Sequence, residues 1–254
     1  MNKKRVVLLA NHLPGLEVCR ILTEDPLTDL VAVFVTDENS NLEQEISKIV
    51  CEKNIPIYCG KQIWSSEEVF SIFSELNPDF LVAVYWPWLL KPKIVALLKD
   101  SLNFHPALLP KNRGWYPHVY NLKDGTDPGV TLHRIDREAD TGAIWASRKV
   151  ESKSTDTASD LYRRLQAEIV DLFEEVWPLV ISGAITPLEQ EHSKATYNAK
   201  NEISKFDQIN LDEVTTPRNF INLLRARTFD GHGYAFYFEG DKKISISIML
   251  AEED

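Results

Sequence analysis

The sequence predicts an α/β fold, with a Rossmann-like, doubly wound and mostly parallel sheet and a small C-terminal helix-plus-β-hairpin appendage. Between residues 6 and 150, short apolar runs rich in β-branched residues alternate with segments of helical spacing. Two of these runs, residues 30–35 and 80–85, are apolar throughout, as expected of strands buried on both faces of a parallel sheet. With 254 residues, the chain is long enough for one substantial core and the appendage.

Each element of the sheet layer is predicted from its local pattern. The strands are apolar runs bounded by turn residues, at residues 6–10, 30–35, 55–58, 80–85, a run ending at His105, 129–135 and 143–150. The helices carry apolar residues at intervals of three and four, at residues 16–22, 42–51, 69–76, 94–98 and 155–181. The run at 143–150 alternates in polarity, which predicts a strand near the edge of the sheet.

The sequence changes character after Gly183. Residues 185–211 are polar and weakly patterned, which predicts a linker on the surface. We therefore divide the chain into a catalytic domain at residues 1–184 and a C-terminal subdomain at residues 185–254.

The C-terminal subdomain is predicted to contain one helix and one hairpin. Thr216 and Pro217 form a strong helix start, with a capping residue followed by proline in the first turn. The apolar runs at 234–238 and 244–248 flank a Glu-Gly-Asp-Lys turn, which is typical of a β-hairpin. Because this hairpin is apolar and aromatic, we expect it to pair with its copy in a homodimer.

Composition limits the kind of partner. The chain has 28 basic and 38 acidic residues, a net charge of −10, which argues against nucleic acid as a partner. No apolar run has transmembrane length, so we expect no membrane partner.

Three cysteines without CxxC spacing indicate reduced thiols and a cytoplasmic location. Neither HExxH nor paired CxxC occurs, and we expect no metal.

Two polar residues mark the end of one predicted strand. Asn103 and His105 are two residues apart, so in an extended strand they point to the same side. Pro106 then ends the strand, since proline cannot donate to the ladder. The carboxyl ends of strands are where α/β folds place their chemistry. A second motif follows downstream, at residues 129–133 and then at Asp140.

Together, these side chains suit acyl transfer to an amine. A free imidazole titrates near neutrality, so the side chain of His105 can accept or donate a proton, and Asn103 can hydrogen-bond an oxygen that becomes negative. Asp140 can orient the imidazole. No serine or cysteine has a nucleophile signature, so direct transfer fits better than a covalent acyl-enzyme. Taken singly, each residue also has a structural interpretation, as a turn former, a core histidine or a turn residue.

The surrounding motifs strengthen the functional interpretation. They read Asn-Phe-His-Pro-Ala-Leu-Leu-Pro at 103–110, Arg-Gly at 113–114, Gly-Val-Thr-Leu-His at 129–133 and Asp-Thr-Gly at 140–142. This combination resembles the folate-dependent formyltransferase family, over roughly residues 1–184. The resemblance implies transfer of a formyl group from N10-formyltetrahydrofolate, as co-substrate, to a primary amine. It also implies a catalytic triad of Asn103, His105 and Asp140.

The resemblance further implies a folate pocket between two loops, residues 85–90 and 135–140. The candidate contacts for the pterin are Trp86, Trp88, Leu89, Leu90, Ile135 and Asp136. The Trp-Pro-Trp stretch at 86–88 departs from the smaller residues that are commoner in the family. Core packing is therefore an equal alternative for the two tryptophans.

The loop after the first strand excludes one class of ligand. Residues 11–15 read Asn-His-Leu-Pro-Gly and lack the GxGxxG fingerprint, so we expect no dinucleotide. The following helix can hold one phosphate through its backbone N–H groups. Alternatively, Pro14 and Gly15 simply make the turn.

The acceptor amine is predicted to belong to a nucleotide-linked amino sugar. Arg-Gly-Trp-Tyr-Pro at 113–117 and the compact tail resemble the sugar N-formyltransferase branch, which would serve a bacterial surface polysaccharide with a dTDP- or UDP-linked substrate. The candidate substrate contacts are Asn11, Arg113, Tyr116, His118, Arg225, Phe229 and Tyr234. For Arg225 the alternative is a cation at a helix end, and for Phe229 and Tyr234 it is the hairpin core. His133 is predicted to be structural.

Other functions stay open. Methionyl-tRNA formyltransferases add a basic RNA-binding barrel, whereas residues 185–254 hold 8 basic and 12 acidic residues, a net charge of −4. Glycinamide ribonucleotide formyltransferases end near the long helix. A formyltetrahydrofolate hydrolase normally carries an amino-terminal regulatory domain, while this chain starts at the first strand. A non-catalytic folate-binding module is the fourth alternative.

Overall fold

The computed structural model describes residues 2–36 and 41–253. Within them the chain forms two compact units, each assembled from separate segments. The first unit takes the described residues of 1–105, 131–146 and 169–190, and the second takes those of 106–130, 147–168 and 191–254. The three predicted catalytic residues all fall in the first unit.

The elements are as follows in chain order. The strands are β1 (Lys4–Ala10), β2 (Thr28–Val35), β3 (Ile57–Cys59), β4 (Phe80–Val84), β5 (Asp100–His105), β6 (Arg113–Gly114), β7 (Gly129–His133), β8 (Ile144–Lys149), β9 (Tyr197–Asn198), β10 (Thr228–Phe229), β11 (His232–Gly233), β12 (Ala235–Glu239) and β13 (Lys242–Ile246). The α-helices are α1 (His12–Glu24), α2 (Asn41–Glu52), α3 (Lys61–Ser65), α4 (Glu68–Leu76), α5 (Pro92–Val95), α6 (Pro117–Asp124), α7 (Ala158–Ser182) and α8 (Pro217–Ala226). Short 3-10 helices span His192–Lys194 and Lys200–Phe206.

Among the described residues, the main sheet has seven strands in the order β3-β2-β1-β4-β5-β7-β8. The pairings of β3 with β2, β2 with β1, β1 with β4 and β4 with β5 are parallel. The pairing of β5 with β7 is antiparallel. The prediction of a Rossmann-like, mostly parallel sheet is confirmed, and β8 lies at one end of the strand order as its alternating pattern indicated.

Burial on both faces explains the continuous apolar character of β4. Successive side chains of a strand point to opposite faces. Phe80 packs edge-on against Trp177 of α7, with ring centroids 5.4 Å apart, whereas Leu81 belongs to the buried cluster that contains Phe73 of α4. Helices thus cover both faces of this strand, and no position along it is left for a polar side chain.

The first helix begins earlier than we predicted. α1 starts at His12, whose N–H is accepted by the Asn11 side chain, so Pro14 and Gly15 lie inside the first turn of the helix. Proline is tolerated there because the first N–H groups of a helix have no partner within it. A Cβ on Gly15 would lie 3.0 Å from the backbone of Ala10, so glycine permits the close approach of α1 to β1.

The predicted linker at 185–211 contains more structure than expected. β9 pairs in parallel with β6, and Leu188 forms an antiparallel bridge with Ile144 of β8. The predicted surface linker therefore contains short strand pairings. Each of these pairings involves only one or two residues, so it leaves no periodic signal in the sequence. The same is true of α3, in the first unit, which is only five residues long.

The predicted C-terminal helix and hairpin are both present. α8 begins at Pro217, and the Thr216 hydroxyl accepts the N–H of Asn219 at 3.2 Å. β12 and β13 pair in antiparallel register, and Glu239 opposite Lys242 closes the turn.

Candidate active site

The three predicted catalytic side chains meet at the end of β5. Asn103 and His105 lie on the same side of the strand, as their spacing predicted. His105 Nδ1 lies 3.5 Å from Asp140 Oδ2, and Asn103 Nδ2 donates to Asp140 Oδ1 at 3.5 Å. The structure therefore brings together all three residues of the predicted triad.

These groups are largely shielded from water. His105 is 4% exposed, and the side chain of Asp140 is 12% exposed. Charges interact more strongly where water is excluded, because the local dielectric is lower. The site can therefore stabilise charge that develops on a bound substrate more effectively than an open surface can.

Asp140 lies in a tight loop between β7 and β8. Its φ angle is 58°, in the left-handed region that non-glycine residues rarely adopt. The loop closes where Arg134 N donates to Ala143 O at 2.8 Å. It passes so close to Arg134 that a Cβ on Gly142 would lie 2.1 Å from the Arg134 carbonyl oxygen. This closure turns the Asp140 carboxylate back towards β5.

His133 is a site residue that the sequence reasoning missed. It lies directly opposite Asn103 in the antiparallel pairing of β7 with β5. Its Nδ1 lies 2.7 Å from the Arg134 carbonyl oxygen, which can only accept, so Nδ1 carries the hydrogen. In the neutral ring, Nε2 then accepts from Asn103 Nδ2 at 3.0 Å. His133 thus orients the amide of Asn103.

A signal for His133 was present in the sequence. β7 is buried at all five positions, so His133 is a polar residue in a fully buried strand. The same criterion had singled out Asn103 and His105. What the sequence lacked was the register of β7 against β5, which depends on long-range pairing.

Asn11 joins the ends of three strands. Its Nδ2 donates to Tyr85 O at 3.0 Å, and its Oδ1 accepts from His12 N and, at 3.3 Å, from the hydroxyl of Thr36. Both ends of the amide are therefore engaged in holding α1 against the sheet. The predicted contact of Asn11 with substrate stays a prediction.

The predicted folate contacts divide into packed and exposed residues. Trp86 and Trp88 pack edge-on with ring centroids 5.0 Å apart, and Leu90 and Ile135 join them against the buried core cluster of the first unit. Among the described residues, no hydrogen-bond acceptor reaches the buried Nε1 of Trp86. In contrast, the side chains at 89 and 136 are exposed.

Arg113 and Tyr116 lie in the second unit, before α6. Arg113 is buried, and its guanidinium donates to His192 Nδ1 at 3.0 Å. Tyr116 takes a φ angle of 56° as it leads into the helix. Arg113 therefore has a role in anchoring this loop, whatever its role towards substrate.

His118 is a buried histidine of the second unit. It is 7% exposed and packs against Tyr162, with ring centroids 4.8 Å apart, and against Phe229 at 6.5 Å. Burial, with a smaller contribution from the Arg227 guanidinium, lowers the pKa of His118 to about 3. The ring is therefore neutral at physiological pH.

This depressed pKa predicts a loss of stability in acid. Below pH 6.5, His118 binds a proton in the unfolded state but stays neutral in the folded state. The free energy of unfolding therefore decreases as the pH falls towards 3. His118 should contribute a slope of about 1.4 kcal/mol per pH unit in that window. We expect His118→Phe, which keeps an aromatic ring, to abolish this part of the slope when urea unfolding is measured at pH 7.5 and pH 5. Equal slopes in the two proteins would contradict the assignment.

The remaining predicted substrate contacts already have partners in the second unit. Arg225 donates to the carbonyl oxygens of Asp156 and Lys153 at 2.8 and 2.6 Å. Phe229 of β10 packs against Tyr162 of α7, and Tyr234 is exposed beside the hairpin. Their contacts with substrate stay predictions.

Thiols, potential metal ligands and long apolar helices were the other features considered in the sequence, and the described residues show the following for each. The three cysteines are free, and burial raises the pKa of the Cys19 thiol to about 12. Across residues 2–36 and 41–253, no group of three or more His, Cys, Asp or Glu side chains is arranged to hold a metal ion. In the same ranges, no helix combines the length and apolar character needed to cross a membrane.

Comparison with known families identifies the class of protein. Residues 36–176 match the Formyl transferase family, and residues 202–252 match the N-formyltransferase dimerization C-terminal domain. The first match covers more than half of the chain. The chain belongs to the formyl transferase family, and the predicted formyltransferase activity is confirmed.

The chain is also similar to individual proteins of this family and to a solved structure. A dTDP-4-amino-4,6-dideoxyglucose formyltransferase of Mycobacterium tuberculosis is 31% identical over 167 residues, which cover 64% of this chain and 71% of the relative. A methionyl-tRNA formyltransferase of Sulfurihydrogenibium sp. is 30% identical over 193 residues, which cover 75% of this chain and 61% of the relative. A 4-N formyltransferase structure from Francisella tularensis shares the fold, with a TM-score of 0.83, 22% identity and coverage of 98% and 99% of the two chains.

Proposed function

We propose that this formyltransferase moves the formyl group of N10-formyltetrahydrofolate to the primary amine of a dTDP- or UDP-linked amino-deoxy sugar. The observation that carries the proposal is the convergence of Asn103, His105 and Asp140 at the end of β5 in a member of the formyl transferase family. The M. tuberculosis relative, which acts on a dTDP-linked amino sugar by its name, supports this choice of acceptor.

The reaction needs charge stabilisation and proton transfer. The acceptor nitrogen bonds to the formyl carbon, the bond from that carbon to N10 breaks, and one proton passes from the amine to N10. As the nitrogen attacks, the formyl oxygen becomes negative. Asn103 is suited to stabilise this oxygen. One of its two N–H groups donates to His133 at 3.0 Å, and the other makes only the long 3.5 Å contact with Asp140, which a closer oxygen can replace.

His105 and Asp140 are suited to move the proton. The imidazole accepts it from the attacking amine and delivers it to N10. The Asp140 carboxylate, 3.5 Å from His105 Nδ1, stabilises the positive charge that the ring carries in between. Water is largely excluded from both groups, which limits hydrolysis of the formyl donor.

The folate is proposed to lie at residues 85–90 and 135–140 of the first unit. Trp86, Trp88 and Ile135 pack together there, and the Trp86 Nε1–H has no acceptor within the described chain. A buried donor without a partner is costly, and a pterin heteroatom can satisfy it. Leu89, Leu90 and Asp136 are proposed to border this site.

In the second unit, we propose that the nucleotide sugar contacts Arg113, Tyr116, His118, Arg225, Phe229 and Tyr234. The predicted substrate contact of Asn11, in the first unit, stays a prediction. Aromatic rings supply stacking surfaces for a base, and guanidinium groups supply charge for a diphosphate. A role in surface polysaccharide synthesis, a cytoplasmic location and the division of the chain at residues 184 and 185 stay predictions.

The second candidate function is formylation of methionyl-tRNA, which the Sulfurihydrogenibium relative favours. The charge of the C-terminal region argues against it. Residues 185–254 have a net charge of −4, and a surface that binds RNA phosphates needs an excess of basic residues.

The C-terminal hairpin is proposed to mediate a homodimer. The match of residues 202–252 to a dimerization domain supports a dimer, and Phe238 of β12 and Tyr234 beside it expose large aromatic surfaces. Sedimentation velocity at micromolar concentration tests the assembly. A monomer at every concentration would refute it.

A formyl-transfer assay tests the main proposal. The protein is incubated with N10-formyltetrahydrofolate and, in separate reactions, with methionyl-tRNA, with no acceptor, or with each of a panel of dTDP-, UDP- and GDP-linked amino sugars, and the products are analysed by mass spectrometry. Gain of one formyl group by a preferred dTDP- or UDP-linked sugar is the expected result. Formylation of methionyl-tRNA alone would overturn the choice of acceptor, and release of formate without any acceptor would indicate a hydrolase.

A further inference from the structure

The backbone of Asp140 requires support from outside its loop. A non-glycine residue rarely adopts the left-handed region, and such residues persist only where neighbouring groups hold them. Asp140 has a φ angle of 58°, and its carboxylate must nevertheless stay at hydrogen-bond range of Asn103 and His105.

Gln190 reaches the two carbonyl groups that frame this conformation. Its Nε2 donates to the carbonyl oxygen of Asp140 at 2.9 Å and to that of Gly142 at 2.7 Å. A carboxamide nitrogen carries two hydrogens, so both contacts can form at once. Gln190 is 6% exposed, so water competes little for either bond.

A short strand-like pairing places Gln190 there. After α7 the chain returns along β8, and Ile144 and Leu188 exchange two backbone hydrogen bonds of 2.7 and 2.8 Å. In an antiparallel pair, stepping two residues from this bridge in opposite directions sets Gln190 opposite Gly142. The backbone pairing at the sheet edge therefore fixes the position of Gln190, from which its side chain reaches the loop.

We propose that Gln190 is a positioning residue of the formyl-transfer site, which holds the Asp140 carboxylate against His105 and Asn103 by binding the carbonyl groups of Asp140 and Gly142, in the backbone that directly follows the carboxylate. The inference rests on the proposed role of Asp140. Gln190 touches no reacting atom and acts through the loop backbone. Without its N–H groups, the loop relaxes and the carboxylate moves away from His105.

The substitution Gln190→Met tests this role, because methionine keeps the length of the side chain and lacks both donors. We expect kcat to fall about 10- to 100-fold, the cost of a carboxylate misplaced by about an ångström. The KM values for folate and acceptor should stay within about threefold, since Gln190 is not among the proposed contacts of either substrate and the displaced carboxylate acts in the chemical step. Glu189→Gln, at the exposed neighbouring position, should keep the activity of the native protein.

A double-mutant cycle separates positioning from general stability. If Gln190 acts through Asp140, adding Gln190→Met to Asp140→Asn should cost less than about threefold in kcat. An additive loss, or native kcat in the single variant, would overturn the inference. If Gln190→Met does not fold, Gln190→Asn, which keeps the amide but is one methylene shorter, replaces it in the cycle.

The same cycle tests the proposed site independently. Native kcat in Asp140→Asn alone would refute the role of Asp140 itself, and with it the proposed catalytic triad. A slow Asp140→Asn together with a fully active Gln190→Met would refute only the inference about Gln190.

Discussion

We expect the substitution His105→Asn to lower kcat for formyl transfer by about 100- to 10,000-fold, the usual contribution of a general acid–base group. Asparagine is smaller than histidine and places an amide near the position of Nδ1. It does not titrate near neutral pH, so it cannot carry the proton from the amine to N10. Binding of folate should change little, because the proposed pterin contacts lie on other loops.

Steady-state kinetics and a folate-binding titration check this prediction together. His232→Asn serves as the matched control, because His232 is exposed and lies in β11 of the second unit. A His105→Asn protein that binds folate and retains the native kcat would exclude His105 as the group that transfers the proton. Loss of both binding and turnover would indicate instead a packing role for the buried ring.

We expect Gly142→Ala to lower both the stability of the protein and its kcat. The added Cβ would lie 2.1 Å from the Arg134 carbonyl oxygen and 2.8 Å from its carbonyl carbon, which are backbone atoms held by the closure of the loop. The loop must move to accommodate it. We expect destabilisation of about 1–3 kcal/mol, as for other overpacked positions.

The same displacement should impair the reaction. Because Asp140 lies two residues before Gly142, a shifted loop carries its carboxylate out of range of His105, and kcat should fall about 100-fold. Urea unfolding and steady-state kinetics measure the two effects. Gly183→Ala is the control, since nothing lies within 4 Å of its added Cβ. That variant should lose about 1–2 kcal/mol for its left-handed backbone and keep its kcat.

The shared orientation of Asn103 and His105 was predictable because the information about it is local. Asn103 and His105 are two positions apart in one strand, and a strand directs such pairs to the same side. The apolar runs of β2 and β4 were equally predictable, because burial on both faces excludes polar residues from them. The Asp-Thr-Gly motif at 140–142 was visible as well, although its distance from β5 was not.

The contacts around these residues were not predictable, because they depend on register. His133 contacts Asn103 only because β7 pairs antiparallel to β5 in one particular alignment. A shift of one residue would send its side chain to the other face, and nothing within β7 specifies the alignment.

The same limit applies to the second unit. Arg225 could be identified as a cation near a helix end, but its engagement by the carbonyl oxygens at 153 and 156 could not. Residue type indicates what a side chain can bind, whereas its partners depend on which distant segments the fold brings beside it.

The sequence by itself determined the fold class, the main strands and helices along the chain, and the membership of the formyl transferase family. Each of these depends on short-range patterns and motifs. Only the tertiary structure decided how Asp140 is held. Gln190 lies 50 positions further along the chain and reaches the loop through a single bridge at Leu188. A pairing that short has no period to detect, and the free energy that stabilises it comes from the completed sheet.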